Sequence, residues 1–142
     1  MLANRIDETD LAILQVLLEN AIRPHKEIGE LVHLTGQAVG ARIRKMQDSG
    51  IIEGYTLLWN PEKIGLTVHA FVTMFMKMTI AHSSFVSFVQ SSEMVTEMHR
   101  VSGDGCYWMR VRVPSMVELN AFLDELLHYG NYKTSLSIGQ IK

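Results

Sequence analysis

Within one short run, Thr35, Gly36, Gln37, Ala38, Gly40, Ala41, Arg42, Arg44 and Lys45 bring together an amide, three cations and several small side chains. These are the groups with which a helix reads a nucleic-acid duplex. A glutamine amide can pair with a base edge, arginine and lysine neutralise phosphates, and absent side chains let backbone approach closely. Thr35 is a good helix N-cap, and Val39, Ile43 and Met46 at i, i+4 and i+7 form an inward stripe. That phase turns Gln37, Ala38, Gly40, Ala41, Arg44 and Lys45 toward solvent. Arg42 lies beside the apolar stripe, where an ion pair to a neighbouring helix and a phosphate contact are both open. Gly36 and Gly40 each cost a helix about 0.5–1 kcal/mol against alanine. Either close approach to DNA or close helix packing would offset that.

Other chemistry is poorly served. His25, His33, His69, His82, His99 and His128 show no metal-ligand spacing, and no Gly-rich phosphate loop of P-loop type occurs. Cys106, the single cysteine, heads an apolar run in which thiols are usually inert. Asp104 and Glu97 could come close, but a solvated loop acid is the simpler account. The reading is a binding protein, with no catalytic residue, metal or cofactor expected.

The elements that position these residues are helical first and strand-rich later. In the first helix Asp7 caps the start, Asp10 adds negative charge to the first turn, and Ile6 and Leu11 are spaced as a hydrophobic staple. Leu11, Leu14, Leu17 and Leu18 make its stripe, and it ends near Asn20. Pro24 opens a second helix with Ile28, Leu31 and Val32 as its apolar face, Leu34 packs beneath the turn, and Gly50 ends the third helix. Two short helices joined tightly, the second small and basic, form a helix-turn-helix.

Residues 55–60 read as a strand leaving this head, with Pro61 and Gly65 closing an arm. Residues 68–78 form a strand apolar on both faces, which demands cover on both: Val68, Ala70, Val72, Met74, Met76 and Met78 on one side, Phe71 and Phe75 on the other. A helix from His82 follows with Phe85, Val86, Phe88 and Val89 inward, then strands over 95–101 and 106–113. Ser115 and Glu118 form a capping box for a last helix carrying Leu119, Phe122, Leu123 and Leu126, and residues 132–141 give a final strand. The order βαββαβ is the ferredoxin-like unit, both helices on one face of an antiparallel sheet. Stacking two such sheets through their open faces would bury the second apolar set, so a homodimer follows. The fold is thus α+β: a three-helix helix-turn-helix head (1–54), a connecting arm (55–66) and a ferredoxin-like module (67–142).

With 142 residues, 47% of them hydrophobic, the chain holds enough apolar material for these cores. No run approaches the roughly 18 apolar residues of a membrane span. The acidic N-terminus is unlike a secretory signal, and a lone cysteine suits a reducing cytoplasm. The net charge of −2 gives a single head only a weak grip on phosphates. Several tethered heads would raise each other's effective concentration, so at least a dimer is implied.

Along nearly its whole length the chain resembles the Lrp/AsnC, or feast/famine, family of bacterial and archaeal transcription regulators. The resemblance is carried by Ile6-Asp7 with Asp10 and Ile13-Leu14, by Arg23, and by Leu34-Thr35. It continues through Arg42-Ile43-Arg44-Lys45-Met46, Gly50-Ile51-Ile52-Glu53-Gly54-Tyr55, Gly65 and Thr134-Ser135. It implies a winged helix-turn-helix DNA-binding head and a C-terminal ligand-sensing module of the ferredoxin-like (RAM) type. It also implies dimers that pair through that module, often assembled to octamers, and double-stranded DNA that is wrapped or bent. An amino-acid effector would sit between modules near the glycine loop, which here is Ser102, Gly103, Asp104 and Gly105, whose backbone N–H groups could hold a carboxylate. Many members carry an aromatic and then an acid after the Gly-Asp pair, where this chain has Gly105 and Cys106. The competing reading is a small-molecule sensor or scaffold whose head contacts protein rather than DNA. The acidic balance favours that rival; exposed Gln37, Arg44 and Lys45 favour DNA.

Overall fold

The computed structural model describes residues 6–142 and divides into two compact units, one ending at Leu58 and one beginning at Trp59. The first is three helices, α1 (Glu8–Glu19), α2 (His25–Val32) and α3 (Gly36–Asp48). Helix α1 begins with a reciprocal capping box: Asp7 accepts from the Asp10 N–H at 2.8 Å, and Asp10 accepts from the Asp7 N–H at 3.1 Å. Ile13, Leu17, Ile28, Val39, Ile43 and Met46 form the buried core. The buried face of α1 is therefore Asp10, Ile13 and Leu17, a phase shifted from the four-leucine stripe. Leu11 and Leu18 stay exposed, as does Leu31 on α2. Counting leucines missed this because a charged residue, Asp10, occupies a core position.

The α2–α3 turn depends on two backbone features. His33 closes α2 in the left-handed conformation (φ 59°), and the Leu34 N–H returns to the Gly29 carbonyl at 2.9 Å. The Leu34 carbonyl comes back over Gly29 so closely that a Cβ there would collide with its oxygen. After α3, Gly50 takes a left-handed φ of 74°, as its position demanded. No wing hairpin follows among the described residues. Residues 53–60 pair with nothing as a strand, so the strand anticipated over 55–60 is an exposed extended segment, leading to a 3₁₀ turn at Pro61–Ile64.

The second unit contains β1 (Val68–Met76), α4 (His82–Gln90), β2 (Val95–Arg100), β3 (Tyr107–Val113), α5 (Met116–Leu126) and β4 (Gly130–Leu136). The sheet order is β2-β3-β1-β4, antiparallel throughout, the ferredoxin-like arrangement. Period-two alternation sends Ala70, Val72 and Met74 of β1 and Tyr107, Met109, Val111 and Val113 of β3 into a core with Phe85, Val89, Leu119, Phe122, Leu123 and Leu126. Two strands are shorter than expected. Met78 lies beyond the end of β1 and is fully exposed, and Ile138 and Ile141 lie beyond β4. At the α5 start, the Ser115 hydroxyl accepts from the Val117 N–H and pairs with the Glu118 carboxylate rather than forming a reciprocal box. No described helix is long and apolar enough to cross a membrane.

Candidate nucleic-acid interface

Helix α3 is fixed from below and from its N-terminus. Thr35 accepts from the Ala38 N–H at 3.1 Å, and burial of Val39, Ile43 and Met46 sets the helix's rotation. The opposite face then presents Gln37, Ala41 and Arg44 in the open, with Ala38 and Gly40 half-buried beside them. Gln37 and Arg44 carry the base-pairing amide and the bidentate guanidinium that groove recognition uses.

Arg42 and Lys45 are differently employed. Arg42 Nη1 donates to Asp7 Oδ2 at 2.7 Å and Asp10 Oδ1 at 2.8 Å, while Lys45 Nζ lies 3.1 Å from Asp10 Oδ2. Of the two roles open to Arg42, the structure gives it the ion pair. Lys45, expected to face solvent, is half-buried against the same acid. Burial by itself would raise the Asp10 carboxyl; the Asp7 N–H, Arg42 and Lys45 together outweigh it and bring it down to about 2. Asp7 is lowered chiefly by the Arg42 hydrogen bond, and Arg42 is raised in turn. The network locks α3 onto the start of α1.

The two glycines of α3 sit against α2. A Cβ on Gly36 would come within 3.2 Å of the Lys26 backbone nitrogen, and one on Gly40 within 3.0 Å of His25 Nδ1. Helix packing therefore accounts for both. The groove beside α3, about 490 Å³, is lined by Gln37, Gly40, Ala41 and Arg44 and also by His25, Gln47 and Tyr55. Those last three were not anticipated. The i, i+4 glycine spacing signalled that another element closes in, but could not name it.

In the second unit, Ser102, Gly103 and Asp104 stand exposed at the β2–β3 turn, with Gly103 at φ 96° and Gly105 at φ 82°. Gly105 differs from its neighbours. A Cβ there would press on the Thr73 methyl and the Met74 carbonyl, and the next residue's N–H, on Cys106, donates to that carbonyl at 2.7 Å. Glu97 pairs with His99 at 2.7 Å and Arg110 at 3.3 Å, its carboxyl lowered first by the His99 hydrogen bond, so its partners are these and not Asp104. The sheet face opposite α4 and α5 carries Phe71 stacked on Trp108 (5.6 Å between centroids) with the Arg110 guanidinium over both. Two buried atoms there, His69 Nε2 and Arg110 Nε, have no hydrogen-bond partner among the described residues, and burial holds the His69 imidazole below its usual range, assisted by Arg112 and Arg110.

Comparison with known proteins bears on both units. Residues 6–47 match the AsnC-type helix-turn-helix domain, and residues 69–142 match the Lrp/AsnC ligand binding domain. The chain is 46% identical to the HTH-type transcriptional regulator LrpB of Bacillus subtilis over 97% of its own length and 92% of the relative's. It is 38% identical to LrpA of the same organism, covering 95% and 99%. Among solved structures, Bacillus subtilis LrpC superposes with a TM-score of 0.90 at 25% identity, covering 97% of this chain and 98% of that one. The Neisseria meningitidis regulator NMB0573, in complex with L-Met, gives 0.91 at 28% identity, covering 97% and 93%.

Proposed function

This chain belongs to the Lrp/AsnC family of transcriptional regulators, and from that footing we propose that it reads double-stranded DNA sequence as a multimer whose sensing modules answer to an amino acid. It is a regulator and not an enzyme, as its curated relatives are. The observation that carries the DNA reading is the exposed strip of Gln37, Ala41 and Arg44 on a helix whose other cations are tied to Asp10. Arg44 is the phosphate or guanine contact, Gln37 the base-edge contact, and Thr35 and Ala38 secure the helix start between them. Gly36 and Gly40 hold α3 close to α2, while Arg42 and Lys45 set its angle. The regulator acts in the cytoplasm.

A second copy would cover the open sheet face. Phe71, Trp108 and Arg110 offer it an aromatic and cationic surface, and the unpartnered His69 Nε2 and Arg110 Nε would find their partners there. Pairs of dimers, up to an octamer, would multiply the modest grip of each head. The effector site would form where a second module closes over Ser102, Gly103 and Asp104, with Gly105 holding the loop to β1. The methionine bound by the Neisseria relative makes that amino acid the first probe.

The test is a duplex titration at rising salt. Affinity should fall steeply with added salt, and Arg44→Ala should weaken every duplex about tenfold while reducing the salt slope by roughly one. No retention of any duplex at low salt would leave a head that contacts protein instead.

A further inference from the structure

The groove beside α3 has walls that come from outside the helix. His25, the first residue of α2, lies over Gly40, and its Nδ1 is 3.0 Å from where a Cβ on that glycine would stand. Tyr55, beyond the end of α3, stands about two turns further along the same flank, its hydroxyl 3.5 Å from Gln47 Nε2. Five lining side chains, His25, Gln37, Arg44, Gln47 and Tyr55, carry a hydrogen-bond donor, and among the described residues no carboxylate lines the groove. A helix about 10–12 Å across fills a major groove about 12 Å wide, so side chains immediately flanking it meet the sugar–phosphate strands and not the bases.

We propose that this groove seats one sugar–phosphate strand of the duplex, with His25 and Tyr55 donating to phosphate oxygens along one flank of the base-reading strip. The proposal rests on the DNA-binding reading above and adds residues to it. It also explains how a chain of net charge −2 grips a polyanion: part of the grip comes from hydrogen-bond donors other than lysine and arginine, which position the duplex. Gly40 then leaves the room that the His25 ring occupies beside the helix.

The experiment measures the affinity of the full chain for a specific duplex, selected from random sequence by the parent protein, and for a scrambled duplex of equal length. Each duplex is titrated with the parent protein and with Arg44→Ala, His25→Ala, Tyr55→Phe and Gly40→Ala. His25→Ala and Tyr55→Phe should each lose about tenfold on both duplexes, since a phosphate contact is blind to sequence. Tyr55→Phe should leave the salt slope unchanged, because no cation is removed. Gly40→Ala should lose affinity while its melting temperature holds or rises, because alanine favours the helix as its methyl displaces the ring. Parent-like binding by His25→Ala and Tyr55→Phe alongside a weakened Arg44→Ala would overturn the strand seat and leave the DNA reading standing. Loss on the specific duplex alone would also overturn it, by making these base contacts. Failure of the parent protein on every duplex would remove both.

Discussion

At the scale of single residues, Asp10 has an unusual combination of duties. It is fully buried, caps the first helix with Asp7, and receives both Arg42 and Lys45. A buried carboxylate survives only if its lone pairs are satisfied, and here they are. Its folded pKa of about 2 lies below the ordinary 3.8, so its contribution is present above about pH 3.8 and lost as the pH falls through 2. That contribution is on the order of 1–2 kcal/mol, allowing for the solvent that still reaches Arg42 and Lys45. Asp10→Asn should therefore destabilise the head at neutral pH and flatten its acid transition between about pH 4 and 2. Helicity followed against pH tests this; a parent-like acid profile in the variant would remove Asp10 from the role.

At the scale of elements, the turn between α2 and α3 is built on close backbone approach. Gly29 has the Leu34 carbonyl directly against it, and His33 accepts a left-handed conformation to let the chain return. Gly29→Ala should lower stability by about 1–3 kcal/mol despite the better helix propensity of alanine, because backbone and not a movable side-chain tip must give way. The corresponding fall in melting temperature of the head should be about 4–8 °C per kcal/mol. A rise would mean the turn relaxes without strain. Glycines in one helix-turn-helix thus diverge: Gly29 faces fixed backbone, while Gly40 faces an imidazole that can move.

At the scale of the whole molecule, the sheet's two faces have opposite fates. Met74 is buried under α4 and α5, so a charge there would disrupt the core itself. Phe71 is on the other face, stacked on Trp108, where we propose that a second copy packs. Phe71→Asp should therefore leave a folded chain that sediments as a monomer and binds DNA far more weakly, since linked heads no longer share effective concentration. Parent-sized assemblies from that variant would place the interface elsewhere.

Much of this was written in local sequence. The capped start of α1, the Val39–Ile43–Met46 stripe, the inward set of α5 and the βαββαβ order follow from periods of 3.6 and 2 and from cap chemistry, which depend on neighbours in the chain. Residues whose partners are distant in sequence were not legible in that way. Asp10 belongs to the core because Arg42 and Lys45 arrive from more than thirty residues away, Gly36 and Gly40 answer to α2, and the extent of β1 and β4 depends on where their ladder ends. Pattern tells which face of an element is apolar; only packing decides what closes over it, because that depends on atoms that local sequence does not hold.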